Sequence, residues 1–194
     1  MAVLDWLVNE QTLTLVGDAV ELRPPRMADY ADWAELRRES RDFLQPWEPT
    51  WPPDDLTRTS YRRRLAIYHR DHDLGLGYAF FCFSRRDGAL LGGINLRDVR
   101  RGVSQSGAIG YWIAERHARR GYTLDAVRTL LQFSFDTLGL HRIEAACCPE
   151  NDASANLLDR AGFEREGRAR AYLKINGVWR DHLLFGLLRA DSAE

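Results

Sequence analysis

A chain of 194 residues, 45% of them hydrophobic, is long enough to bury one sizeable core, and we expect a single domain over residues 1–194. The formal net charge of −1 leaves no overall basic excess, which argues against nucleic acid or an anionic membrane as the partner. The cysteine count of 3 is odd and no C-x-x-C or H-x-x-x-H spacing occurs, which argues against a disulfide framework and against a bound metal.

The first residues, Met1 to Glu10, carry acids and no positively charged leader, and no apolar run in the chain is long enough to span a bilayer. We therefore expect a cytoplasmic protein. Two short strands follow, Thr12 to Val16 and Val20 to Arg23, joined at Gly17-Asp18. Met27 to Arg38 then mixes apolar residues with charges, which predicts a short amphipathic helix.

A segment rich in proline and tryptophan comes next, from Phe43 to Pro53. Proline lacks a backbone N–H and restricts the residue before it, so this segment is predicted to be extended and non-helical. Trp47 and Trp51 either anchor it on the core or wall a pocket, and we expect both. A second helix, with a basic and solvated face, is predicted from Asp55 to Arg70.

Three strands in a row are predicted in the middle of the chain. Gly77 to Phe83 is nearly all apolar and aromatic, which is typical of a central strand covered on both sides. Ala89 to Leu96 is the second strand, and its Gly92-Gly93 pair is a candidate bulge. A charged loop, Arg97 to Ser106, leads to the third strand, Ile109 to Ala114, so the three strands form a meander.

The turn after the third strand carries Arg119, Arg120 and Gly121, and a helix follows it. Apolar residues from Val127 to Leu138 recur with helical spacing, and Gly139 is placed to end the helix. A helix N-terminus offers unpaired N–H groups and partial positive charge, and glycine lets a large anion approach the backbone. The turn therefore predicts a pyrophosphate-bearing ligand, although a basic turn that meets only solvent has the same pattern.

The remaining third of the chain reads as a strand, a helix and a hairpin. Ile143 to Cys148 alternates as a strand, and its helix crossover predicts that it is parallel to the strand before the turn. Asn151 or Asp152 is the expected N-cap of the next helix, which Gly162 ends. The last two strands are Phe163 to Ile175 and Val178 to Leu188, joined by Asn176-Gly177, the strongest short hairpin signal.

The order of these elements resembles the Gcn5-related N-acetyltransferases (GNAT superfamily), which use acetyl-coenzyme A (acetyl-CoA). The family's phosphate motif, Q/R-x-x-G-x-G/A, matches Ala118 to Thr123, and its N-x-x-S signature with a later Gly-Phe matches Asn151, Ser154 and Gly162-Phe163. Three further stretches resemble the branch that acetylates ribosomal-protein alanine: Phe43 to Pro49, His141 to Ile143 and Gly177 to His182. Two residues depart from the phosphate motif, Ala118 in place of Gln or Arg and Thr123 in place of Gly or Ala.

The resemblance implies an α+β (α/β) fold with helices on both faces of a central, twisted, mixed sheet. The sheet is expected to be mostly antiparallel, with about seven strands and one parallel pair splayed around the cofactor. The resemblance also implies acetyl-CoA as co-substrate, without a metal. The residues expected to contact it are Tyr111, Trp112, Ile113, Arg119, Arg120, Gly121, Tyr122, Thr123, Leu124, Asn151 and Ser154.

The resemblance also suggests catalytic residues for direct transfer to an amine. Ser154 is the expected acid for the departing thiolate, and a backbone N–H near Trp112 is the expected donor to the thioester oxygen. Ser154 could equally be a helix N-terminal hydroxyl, and Asn151 a plain N-cap. Glu48 is the candidate for receiving the amine, with Trp47 and Trp51 as substrate-binding neighbours, and Glu144 is the alternative because it lies on a presumed core strand.

The resulting hypothesis is an N-acetyltransferase acting on the N-terminal amine of a protein, such as a ribosomal protein with an exposed alanine. A small amine or antibiotic as acceptor, and a coenzyme A-binding module without turnover, are the alternatives. An open groove walled by tryptophan favours the peptide, and a closed acidic pocket favours the small amine. The sequence is compatible with a monomer or a homodimer.

Overall fold

The computed structural model describes residues 13–189. Three expectations concern residues outside this range: the character of Met1 to Glu10, the start of the first strand at Thr12, and the end of the domain. The strands, in chain order, are β1 Leu15–Val16, β2 Val20–Arg23, β3 Tyr78–Ser84, β4 Leu90–Arg100, β5 Ser106–Ile113, β6 Arg142–Cys147, β7 Glu164–Ile175 and β8 Val178–Leu188. The α-helices are α1 Tyr30–Glu39, α2 Arg41–Leu44, α3 Arg58–Asp73, α4 Tyr122–Gln132 and α5 Asp152–Arg160.

All eight strands form one sheet in the order β1-β2-β3-β4-β5-β6-β8-β7. Every neighbouring pair is antiparallel except β5 and β6, which are parallel. The predicted class, meander and parallel crossover are thus confirmed, with one strand more than expected. The predicted hairpin is also confirmed, because Asn176 and Gly177 both have positive φ, 43° and 83°, as a two-residue hairpin turn requires.

The parallel pair separates along its length. Ser106–Ala108 lie opposite Arg142–Glu144, and no further residues of the two strands are paired. Beyond Ala108, β5 pairs with β4 alone, and β6 pairs with β8 alone. A gap therefore opens between the C-terminal halves of β5 and β6, as the resemblance implied.

Two hydrophobic clusters lie on opposite faces of the sheet. On the face that we call the α4 face, Val127 and Leu130 of α4 and Leu158 of α5 pack on alternate strand residues such as Ile109 and Ile143. On the other, the α3 face, Trp33 of α1 and Tyr61 and Leu65 of α3 pack on Phe81 of β3. Helices thus cover both faces, and residues that alternate along β4 and β5 belong to one face or the other.

Two local predictions are wrong. The first part of the Phe43 to Pro53 segment is not extended, because α2 is followed by a 3-10 turn, Gln45–Trp47. Pro46 lies at the start of that turn, where a missing N–H costs no hydrogen bond. The predicted charged loop Arg97 to Ser106 is also too long, since β4 continues to Arg100 and keeps pairing with Ser106 across an irregularity in register.

Candidate active site

A cleft of about 1400 Å³ occupies the gap between β5 and β6 and reaches both faces of the sheet. Its walls include the Pro- and Trp-rich segment, the C-terminal half of β5, the turn before α4, the start of α5 and the tip of the β7–β8 hairpin. A pocket for one drug-sized ligand has roughly 300–1,000 Å³. The cleft is larger, and it has room for two reactants that meet between the strands.

The turn before α4 presents backbone N–H groups to this cleft. Gly121 is the N-cap of α4 and has φ +85°, a left-handed conformation that favours glycine, and no side chain caps the helix. After Ala118, the next residue whose N–H is bonded is Asp125 of α4, which donates to the carbonyl of Gly121 at 3.1 Å. Within residues 13–189, the N–H groups of residues 119–124 have no acceptor. Such a cluster at the positive end of a helix is a site for an anion.

Two cations flank these N–H groups. Arg119 and Arg120 line the cleft with exposed side chains, and neither forms an ion pair with any residue of the described chain. His117 lies beside them, and its pKa is lowered by burial first and then by the neighbouring Arg116 and Arg120. The imidazole is therefore mostly neutral near pH 7, and the positive charge of the turn comes from the two guanidinium groups.

The two residues that depart from the phosphate motif do not remove this site. Thr123 lies in the first turn of α4 and still offers its backbone N–H. The N–H of Ala118 instead donates to the carbonyl of Glu115 at 3.0 Å, closing a 3-10 turn. The side-chain contact that a Gln or Arg at position 118 would make is left to Arg119 and Arg120.

The free edge of β5 offers further backbone groups. Ala114 donates its N–H to the carbonyl of Leu91 at 2.9 Å, towards β4. Hydrogen bonding alternates along an antiparallel strand, so Trp112 also points its N–H at β4 while Tyr111 and Ile113 point theirs at the gap. Of the backbone N–H groups near Trp112, those of Tyr111 and Ile113 are therefore the ones that face the cleft, and the predicted donor to a thioester oxygen is narrowed to these two.

Ser154 lies in the cleft wall and is bonded across the gap. Its Oγ is 2.7 Å from the phenol oxygen of Tyr111 on β5. Burial raises the pKa of Tyr111, and the hydrogen bond with Ser154 opposes this only in part. Because a hydroxyl has one proton, Ser154 can donate to a third group only while it accepts from Tyr111. The sequence marked both residues but gave no signal that they are partners, since they are 43 positions apart.

Asn151 has the capping role that was one of its two readings. Its side-chain oxygen accepts the N–H of Ser154 at 3.0 Å, and it is the N-cap of α5. This bond fixes the start of α5, and with it the position of Ser154, against the end of β6. The amide nitrogen of Asn151 makes no hydrogen bond within the described chain, and Asn151 lines the cleft.

Glu48 is held by other side chains. Both carboxylate oxygens accept from Arg37 of α1, at 2.7 and 2.6 Å, and one also accepts the indole N–H of Trp51 at 2.7 Å. The guanidinium of Arg37 stacks over the ring of Trp51 at 4.1 Å. Glu48 lines the cleft, but its carboxylate is already ion-paired with Arg37. This corrects the expectation of an acid free to receive an amine. Arg37, the partner that fixes Glu48, was missed by the sequence analysis.

The two tryptophans of this segment have different roles. Trp51 is 8% exposed and is not among the residues of the cleft, so it anchors the segment, and its contact with substrate stays a prediction. Trp47 is 37% exposed and lines the cleft. The hairpin tip meets the same segment, since Asn176 donates its N–H to the carbonyl of Glu48 at 2.8 Å.

Glu144 does not have the buried place that was expected of it. Its side chain is 36% exposed and forms ion pairs with Arg100 at 2.8 Å and with Arg142 at 3.1 Å. It lies opposite Ala108, where β5 and β6 are still paired, and not among the residues that line the cleft. Ile143 and Ala145 take the buried positions of β6, whereas the Glu144 side chain has two ion-pair partners outside the cleft.

In the described part of the chain, no group of three or more His, Cys, Asp or Glu residues is arranged to hold a metal ion. Between residues 13 and 189, no helix is both long and apolar enough to cross a membrane. The three cysteines, Cys82, Cys147 and Cys148, are buried and unpaired.

Comparison with known proteins agrees with this geometry. The family model described as an acetyltransferase (GNAT) domain matches residues 19–164. The [ribosomal protein uS5]-alanine N-acetyltransferase of Escherichia coli is 34% identical over 183 residues, which cover 94% of this chain and 94% of that protein.

Two solved structures are also similar. Mycobacterium smegmatis RimJ in complex with CoA-disulfide has a TM-score of 0.86 and 32% identity, covering 94% of this chain and 89% of that one. The ribosomal-protein-S5-alanine acetyltransferase from Vibrio fischeri has a TM-score of 0.85 and 27% identity, covering 94% of this chain and 100% of that one.

Proposed function

The chain belongs to the GNAT acetyltransferases, and on that premise we propose that it moves an acetyl group from acetyl-CoA to the N-terminal amine of a protein. Acetyl-CoA-dependent N-acetyltransfer is the activity of the family branch to which its relatives belong. The protein N-terminus is the finer part of the proposal. The names of the relatives support a ribosomal protein with an N-terminal alanine as the acceptor.

The observation that carries the proposal is the turn before α4. The six unbonded N–H groups of residues 119–124 and the unpaired side chains of Arg119 and Arg120 suit a diphosphate. The gap between β5 and β6 leads from that turn to Ser154, which suits a ligand with a phosphate end and an extended reactive arm. These residues fit acetyl-CoA, which when bound supplies an acetyl group activated as a thioester.

The residues around the gap supply what acyl transfer to an amine requires. The N–H groups of Tyr111 and Ile113 on the free edge of β5 are placed to stabilise negative charge on the carbonyl oxygen. The Oγ of Ser154, accepting from Tyr111, is placed to give its proton to the departing sulfur. A thiol has a pKa of about 8.5, so a hydroxyl donor of modest strength suffices for this leaving group.

The acceptor amine must be neutral before it attacks, and the cleft offers weak bases. Glu48 is neutralised by Arg37, and Glu150 has its pKa lowered by its own backbone N–H and then by Arg180. An N-terminal amine has a pKa of about 7.7–8.0 and is neutral on the order of one time in ten at pH 7, whereas a lysine amine is neutral about once in a few thousand. The site therefore suits an α-amine far better than a lysine.

The shape of the acceptor side points the same way. Trp47, Phe43 and Leu44 line the cleft there with Ile175 of the hairpin, so this wall is largely apolar and aromatic. Of the two carboxylates beside them, Glu48 is already paired and Asp42 is exposed to solvent. A closed acidic pocket, which a small polyamine or aminoglycoside would need, is not formed by these residues.

The test is release of free thiol from acetyl-CoA in the presence of two acceptor panels. One panel holds peptides that begin with Ala, Ser, Met and acetylated Ala, and the other holds small amines and aminoglycosides. We expect turnover with a free N-terminal Ala and none with the acetylated one. Turnover confined to the small amines would overturn the acceptor assignment, and no turnover with either panel despite binding of coenzyme A would indicate a binding module.

A further inference from the structure

A second cavity, of about 440 Å³, lies under α3 at the far end of β3 and β4. Four of its residues, Tyr68, Ala79, Asn95 and Arg97, also line the main cleft. The second cavity is therefore a continuation of the cleft along β4. It extends the cleft past Leu96 to Arg100, well beyond the residues that face the reaction.

This continuation belongs to the face of the sheet opposite the anion site. Ile94 and Leu96 of β4 pack in the α4-face cluster, so Asn95 and Arg97 between and after them point to the α3 face. Trp112 packs with the α3-face cluster, whereas Tyr111 and Ile113 pack with the α4-face cluster. Gly93 of β4 is paired with Trp112 of β5, so a second reactant that approaches from the α3 face reaches the gap near these two residues. From Gly93, β4 leads away from the gap towards the second cavity.

The junction of the two cavities holds an unused amide. The Oδ1 of Asn95 is buried and has no hydrogen-bond partner, and its side chain makes no hydrogen bond in the described chain. It lies over Gly110, where an added Cβ would be 3.0 Å away. A buried carbonyl without a donor is unfavourable. An amide side chain has the donor and acceptor of a peptide group, so a peptide backbone at this junction complements Asn95 when its amide turns from Gly110 towards the cavity.

We propose that this second cavity binds the segment of the acceptor polypeptide that follows its N-terminal residues. The proposal rests on the proposed function and narrows it to an extended peptide rather than a small amine. From Gly93 to Arg97 is about 13 Å, and from Gly93 to Arg100 about 23 Å, at 3.3 Å per residue of strand. With its first residue at Gly93, an extended acceptor is level with Arg97 at about its fifth residue and with Arg100 at about its eighth.

The experiment compares an alanine-initiated tripeptide amide with the octapeptide amide that extends it, using the full chain and saturating acetyl-CoA. The measured quantity is the ratio of kcat/KM for the octapeptide to that for the tripeptide. Burying one apolar side chain of the acceptor in the cavity gives a ratio of about ten. Both peptides end in an amide, so neither has a C-terminal carboxylate. The comparison is therefore free of a negative charge that would lie closer to the site in the shorter peptide.

The chain offers a matched pair of variants. Leu76 lines the second cavity and is 49% exposed, whereas Leu74 is 63% exposed and lines neither cavity. We expect Leu76→Arg to bring the ratio close to one, and Leu74→Arg to keep the wild-type ratio. Both side chains already face solvent, so neither change removes buried apolar packing.

A wild-type ratio of one with good turnover of both peptides would overturn the inference and leave the proposed function intact. Equal effects of Leu76→Arg and Leu74→Arg would also overturn it, because the effect would then be one of surface charge. Absence of turnover with both peptides would instead contradict the proposed function itself.

Discussion

Replacement of Glu48 tests whether this carboxylate has a structural role, as a partner of Arg37, or a catalytic role, as a base. Its carboxylate accepts three charge-assisted hydrogen bonds, two from Arg37 and one from Trp51, at 2.6–2.7 Å. In Glu48→Ala the Arg37 guanidinium, whose side chain is 8% exposed, is left without its ion-pair partner. Breaking a buried ion pair costs about 3–5 kcal/mol, and the 21% exposure of the Glu48 side chain places this pair near the lower end.

A loss of about 3 kcal/mol lowers the melting temperature by roughly 6–12 °C for a chain of this size, since each kcal/mol moves it by about 2–4 °C. Glu48→Gln keeps the carbonyl and loses only the charge, so its loss is smaller, about 1.5–2 kcal/mol. Melting followed by circular dichroism measures both. The kcat of Glu48→Gln, measured well below its melting temperature, is expected to stay within about threefold of wild type. A hundredfold fall in kcat with an unchanged melting temperature would refute this reasoning and restore Glu48 as a base.

Three further predictions follow from other contacts. Asp125 accepts the N–H groups of residues 18–20 at 2.7–3.1 Å, so Asp125→Ala unpairs the β1–β2 turn and should cost about 2–3 kcal/mol in urea denaturation; an unchanged midpoint would contradict it. Ser154→Ala and Tyr111→Phe should each lower kcat by about 10–100-fold with little change in the KM of acetyl-CoA, and a change in KM alone would assign both to binding. Arg142 holds the pKa of Glu166 below its usual range, so the pair stabilises the fold above the unfolded pKa of about 4.3, and this stabilisation is lost as the pH falls through the lowered pKa. Glu166→Gln should therefore flatten the decline of the unfolding free energy below about pH 4. A decline parallel to that of the wild type would contradict the role of the pair.

Local patterns were sufficient to predict the arginine-rich turn and the helix that follows it. The glycine, the adjacent arginines and the helical period after them lie within one short stretch, so their arrangement depends on local backbone geometry. The hairpin at Asn176-Gly177 and the cap at Asn151 were predictable for the same reason. Each rests on bonds between residues that are close in sequence.

Partners that are distant in sequence could not be predicted. Arg37 neutralises Glu48 from another helix, and Tyr111 meets Ser154 across the gap. The strand β6 illustrates a second limit, because either alternating set, Ile143 with Ala145 and Cys147 or Glu144 with Ala146 and Cys148, could have been the buried one. Burial of the first set leaves Glu144 half-exposed, and only the packing of β6 against its neighbours decides this.

The central claim is that the N–H groups of residues 119–124 bind a diphosphate, and amide chemical shifts of the ¹⁵N-labelled protein test it most directly. Titration with coenzyme A is expected to move the amide signals of this turn most, and titration with pantetheine, which lacks the diphosphate, is expected to leave them in place. Binding of coenzyme A with unmoved signals at residues 119–124 would contradict the account.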